Sequence, residues 1–205
     1  MIMKNITIDL ENLHDYAFVK ERLFVRLWYK DIEFDENILQ TPVLDMKMTY
    51  HILLDREDDR LSAVKLTREF FSSYNITLYQ LYSDAIHSTQ VLFPAVIKPL
   101  EEMVSASFEL HSNLYYVSTV KGILGSSTIL YPDMPQKIYQ TIGSDYYLIP
   151  SSTDEWLAIK KDQLMTPSDL ESIVHVVNST FTDPSLLLSD HIYCYNSMTK
   201  KIQLA

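Results

Sequence analysis

Glycine is scarce in this chain, with 3 residues among 205, where average usage of about 7% would supply on the order of 14. A phosphate-cradling loop needs glycines around a Lys-Ser/Thr pair, and a dinucleotide fingerprint needs three closely spaced ones. Gly122, Gly125 and Gly143 satisfy neither pattern. Cysteine is scarcer still: Cys194 stands alone, which excludes an internal disulfide and a thiolate metal cluster and fits a reducing, cytoplasmic setting. No window approaches 18 uncharged apolar residues, so no membrane span is expected. Lys4 and Asn5 interrupt what would be the apolar stretch of a signal peptide.

Positive charge is the other shortage. Seventeen Lys and Arg face 27 Asp and Glu, a formal net charge of −10, and a field of that sign repels phosphate backbones. Residues 1–110 carry 11 basic and 18 acidic side chains, and residues 111–205 carry 6 and 9, so neither half conceals a basic domain. Direct nucleic-acid binding is not expected. What remains is globular in character, 47% hydrophobic and 21% charged, with 14 tyrosines.

The periodicities predict an α+β fold, mainly antiparallel sheet with flanking helices, divided into two small subdomains over 1–110 and 111–205. Asp9 with Leu10, Leu13, Tyr16 and Ala17 predicts a short helix, and residues 22–29 a strand. Leu44, Met46, Met48, Tyr50 and Ile52 alternate with Asp45, Lys47, Thr49 and His51, the signature of a strand with one wet face. A polar loop over 55–60 and a strand over 61–67 complete a hairpin. Asn75 and Thr77 are candidate caps for a helix bearing Ile76, Tyr79, Leu81, Tyr82, Ala85 and Ile86. The second half reads as strands at 114–119 and 126–131, a helix at 135–142 stopped by Gly143, and strands near 146–149 and 156–159. Thr166-Pro167-Ser168-Asp169 opens a helix whose stripe is Leu170, Ile173, Val174 and Val177, and strands at 192–195 and 201–204 end the chain.

Several stretches carry a family resemblance: Asn37-Ile38-Leu39 with Pro42, Ile76 to Leu81, Ala85 to Thr89, Leu114 to Val117 and Gly125 to Pro132. The most specific are Tyr147-Leu148-Ile149-Pro150-Ser151-Ser152 with Glu155, and Leu188-Ser189-Asp190-His191-Ile192-Tyr193. On these, over roughly residues 18–205, the chain resembles an uncharacterised bacterial family, one of the numbered domains of unknown function, common in anaerobic gut bacteria and carried on their mobile elements. The resemblance implies a further N-terminal segment in longer members and a histidine where this chain has Asp154. It implies no activity and no cofactor.

Candidate chemistry is sparse. Ser151 or Ser152 with His191 and Asp190 could supply a nucleophile, a base and an orienting carboxylate, although no nucleophile elbow surrounds them and both stretches suit turns. Asp154 and Glu155 beside Trp156 are candidates for general acid work. His14, His51, His87, His111, His175 and His191 form no helical i, i+4 pair, so no metal site is expected. Tyr115, Tyr116, Tyr146 and Tyr147 are candidate partner contacts, one of each pair turning outward. The acidic groups Asp31, Glu33, Asp35, Glu36 and Asp55, Glu57, Asp58, Asp59 could imitate a phosphate track. The leading expectation is a non-catalytic protein-interaction module, in its sharper form an acidic anti-defence inhibitor whose target binds nucleic acid. The alternative is the serine-type hydrolase.

Overall fold

A computed structural model describes residues 10–57, 60–102, 114–161, 165–181 and 183–205. Its regular elements are α1 (Tyr16–Val19), β1 (Leu23–Trp28), β2 (Gln40–Val43), β3 (Met46–Glu57), β4 (Arg60–Lys65), α2 (Arg68–Ser73), α3 (Leu78–Leu92) and β5 (Ala95–Pro99). They continue with β6 (Leu114–Thr119), α4 (Met134–Ile142), β7 (Tyr146–Ser152), β8 (Glu155–Lys160), α5 (Pro167–Asn178), β9 (Tyr193–Asn196) and β10 (Lys201–Leu204). The class is α+β: β1, β3 and β2 run side by side with β4 also on β3, and a second sheet has the order β10-β9-β7-β8-β6-β5. Every strand pair is antiparallel.

The alternation in β3 is real, since Met46, Met48, Tyr50 and Ile52 are all buried. Its opposite face is not wet. Thr49 and His51 are buried too, because β1 brings Phe24 opposite His51 and Arg26 opposite Thr49. The Trp28 indole donates to Thr49 Oγ1 at 2.7 Å. Leu44 stands outside the strand, exposed and with φ 54° in the β2–β3 turn. The loop expected at 55–60 is shorter than predicted, with the paired strands reaching Glu57 and Arg60.

Caps decide where several helices start. Asp15, rather than Asp9, caps α1 by accepting from the Ala17 N–H at 2.9 Å; Asp9 lies outside the described residues. Thr77 caps α3 by accepting from Gln80 N–H at 3.1 Å. Thr166 and Asp169 form a reciprocal capping box on α5, and Gly143 closes α4 with φ 80°, both as the sequence predicts.

The strand predicted over 126–131 is instead a 3₁₀ helix, Gly125–Leu130. The reason lies in its hydroxyls: Thr128 Oγ1 donates back to the Gly125 carbonyl at 2.7 Å, and Ser127 Oγ donates to the Val25 carbonyl at 2.8 Å. Serine and threonine offer the backbone such local alternatives to a ladder. Gly125 is packed so closely that a Cβ there would collide with the Asp154 carbonyl and with Ser118.

The outer edge of β1 is closed in the same manner. Thr89 Oγ1, on α3, accepts from the Val25 N–H at 3.1 Å while Ser127 serves the Val25 carbonyl, so both backbone groups of Val25 are satisfied by side chains. The largest apolar cluster takes Leu23, Val25 and Tyr50 from the first sheet together with Tyr146, Trp156 and Tyr193 from the second. The boundary expected between residues 110 and 111 falls outside the described residues, and β5, within the first span, pairs with β6 in the second.

Candidate functional site

The Leu188–Tyr193 stretch enters β9 through a polar seam that ties the two sheets together. Ser189 Oγ donates to Asp45 at 2.9 Å, and the Tyr193 hydroxyl donates to the other oxygen of the same carboxylate. Asp190 accepts from the Tyr29 hydroxyl at 2.5 Å and from the Asn178 amide, at the end of α5, at 3.0 Å. Burial raises the Asp190 carboxyl, but the bonds from Tyr29 and Asn178, with His175 and Lys30 nearby, outweigh it and hold the group below the usual carboxylate range. The phenols move the other way: Tyr29 is raised mainly by its bond to Asp190, and Tyr193 mainly by burial with the Asp45 bond in support.

This seam determines what the expected hydrolytic residues can do. Ser151 donates to Glu155 at 2.8 Å, Ser152 Oγ accepts from the Asp154 N–H at 3.1 Å, and both Asp190 oxygens are taken by Tyr29 and Asn178. His191 faces Glu171 across 3.4 Å. Each member is bonded to a different group, and among the described residues no hydrogen-bonded serine, histidine and aspartate chain forms. Asp154 has a structural use, since its Oδ1 accepts from the Leu124 N–H at 2.8 Å and steadies a residue with φ 58°.

The tyrosine pairs divide unevenly. Tyr146 is 0% and Tyr147 6% exposed, so neither offers surface to a partner, and the expectation that one of them turns outward is corrected. Both faces of β7 are covered: Tyr146 lies in the main core, and Tyr147 packs with Leu170 and Val174 of α5. Tyr115 and Tyr116 are half-buried, Tyr115 against the main core. Asp31, Glu33, Asp35 and Glu36 are exposed in the loop between β1 and β2, where Asp35 also accepts from Asn37 N–H at 2.8 Å. Asp55 is half-buried and partnered. Asp58 and Asp59, the Glu57 side chain and His111 lie outside the described residues.

Sequence reading missed the surface of α5. Leu170 and Val174 are buried as expected, but Ile173 and Val177 are 47% and 41% exposed, and Val176 is 67% exposed. Spaced i, i+3 and i+4, these three form one outward ridge. The signal was available: five apolar residues within 170–177 exceed what a single core-facing stripe requires. Asp169, one turn before Ile173, shares the ridge's side of the helix, whereas Glu171 lies on the opposite side against His191 and Asp190 is held by Asn178 and Tyr29. Among the described residues, no group of three or more His, Cys, Asp or Glu is arranged to hold a metal ion, and no helix is long and apolar enough to cross a membrane.

A family model described as a family of unknown function (DUF5688) matches residues 2–197. No curated protein and no solved structure matches the chain.

Proposed function

Because the chain belongs to the DUF5688 family, a family of unknown function that passes on no activity, we propose from the geometry that it works by binding another protein through the outward ridge of α5. The observation that carries this reading is the exposure of Ile173, Val176 and Val177 on a helix whose other face is anchored by Leu170 and Val174. Exposed apolar ridges rimmed by polar residues are characteristic of contact sites. Asp169 borders the ridge and the chain carries −10, so the partner suited to it has an apolar groove edged with lysine or arginine. The sharper form adds the exposed Asp31, Glu33, Asp35 and Glu36, which suit a partner that itself grips nucleic acid, as an anti-defence inhibitor would.

A photo-crosslinking residue at position 176, with others at the exposed positions 120 and 198, tests the reading. Adducts with a second protein are expected from 176 alone, and they should vanish in Ile173→Asp/Val177→Asp. Equal crosslinking at all three positions, or adducts only between copies of this chain, would reject it. For the sharper form, binding to a nucleic-acid-binding target weakens steeply with salt and competes with its nucleic acid. Labelling of the wild type by a fluorophosphonate probe, lost in Ser151→Ala or Ser152→Ala, would replace the binding reading with the hydrolase.

A further inference from the structure

Among the described residues the second sheet ends at β5, and the hydrogen-bond phase of that edge is determined. The Val120 N–H donates to the Pro94 carbonyl at 2.8 Å, so Pro94 and Val120 are a hydrogen-bonded pair. The β5–β6 register, with Val96 opposite Ser118 and Lys98 opposite Tyr116, then makes those two pairs hydrogen-bonded as well. Ala95, Ile97 and Pro99 are the alternate residues, whose backbone groups point away from β6. Pro99 is tolerated because its missing N–H falls on this outer side. The N–H and carbonyl groups of Ala95 and Ile97 have no partner among the described residues, whereas the Pro99 carbonyl opens the 3₁₀ turn over Leu100–Glu102.

Ala95 and Ile97 also line a cavity of about 580 Å³ between β5 and α4. Ala95 and Ile97 form one wall, and Lys137, Gln140 and Thr141 of α4 form the other, with Gln90 contributing from α3. Lys137 is paired with Asp133 at 2.5 Å, and Gln90 reaches the same carboxylate at 3.4 Å. The one cation and one anion of the groove cancel, leaving the Gln90 and Gln140 amides and the hydroxyls of Thr141 and Tyr131 as its polar lining.

We propose that this groove binds an extended, uncharged peptide segment of a partner protein, which adds to the second sheet as a strand beside β5. Strand addition draws its affinity from main-chain hydrogen bonds and its selectivity from every second side chain. Here two donors and two acceptors, on Ala95 and Ile97, are offered by the edge, and the groove's neutrality disfavours a charged residue on the side facing α4. The inference rests on the protein-binding reading only in taking a peptide as its ligand; it uses a different surface from the α5 ridge.

The test is panning of a displayed random dodecapeptide library on the purified protein, followed by titration of the selected peptides. Backbone N-methylation at alternate positions of a selected peptide is expected to weaken binding more than tenfold, with the intervening positions unaffected. Ala95→Pro removes an outward donor without breaking the β5–β6 ladder, and Gln140→Trp fills the groove from an exposed helix position. Both are expected to weaken binding at least tenfold, while Ile173→Asp/Val177→Asp leaves it unchanged, which separates this site from the α5 ridge. No enriched peptide, N-methylation without alternation, or wild-type affinity in Gln140→Trp would overturn the proposal. A dimer in sedimentation that Ala95→Pro dissolves would also overturn it, by assigning the edge to a second copy.

Discussion

His51 shows how far one residue's surroundings can shift its chemistry. Its ring stacks on Phe24 at 4.9 Å, and its Nε2 lies 2.8 Å from Thr49 Oγ1. Thr49 Oγ1 also accepts from the Trp28 indole, so the imidazole is enclosed by a ring and a hydroxyl that is itself buried. Burial first, then the positive charges of Arg26 and Lys65, push the imidazole down to about 3. The folded state consequently resists a proton that the unfolded chain accepts below about 6.5. The stability tied to this group is complete above that value and declines as the pH falls toward 3, by up to about 1.4 kcal/mol per unit. Urea titrations of wild type and His51→Phe at pH 7 and pH 5 should show the wild type losing about 2 kcal/mol more than the variant on acidification. Equal losses would remove His51 from the acid response.

At the scale of elements, α5 depends on its first turn. Thr166 Oγ1 accepts from the Asp169 N–H at 3.3 Å, and Asp169 returns a bond to the Thr166 N–H at 2.9 Å. Thr166→Ala is expected to cost about 1 kcal/mol in thermal denaturation and, if the α5 reading holds, to weaken partner binding by loosening the ridge. This helix was legible because its signals are local: a hydroxyl, a proline and an acid in sequence. β2 and β5 were not read, since prolines at 42, 94 and 99 suppress the strand pattern, and only pairing partners far along the chain reveal edge positions that tolerate them. The 3₁₀ segment at 125–130 deceived for a similar reason. Its apolar and β-branched residues resemble a strand until the distant Val25 carbonyl supplies a use for Ser127. Among the candidate site residues, alternation could not disclose that both faces of β7 are covered, which removed Tyr146 and Tyr147 from the surface.

For the molecule as a whole, the main apolar cluster joins residues from both sheets, and the seam of Asp45, Ser189 and Tyr193 fastens the same junction. Neither sheet keeps its core if the other is lost, so calorimetry should record one cooperative transition whose calorimetric and van't Hoff enthalpies agree. Two resolved transitions would mean that the halves melt separately. The serine-to-Val25 bond carries this dependence down to a single atom. A fragment ending at residue 102 would keep Thr89 on the Val25 N–H but leave that carbonyl bare at the edge of β1, where an unpaired backbone group can recruit foreign backbone. Mixed with the complementary piece, it should regain solubility, which makes the chain a candidate for a split reporter whose two parts signal only when reunited.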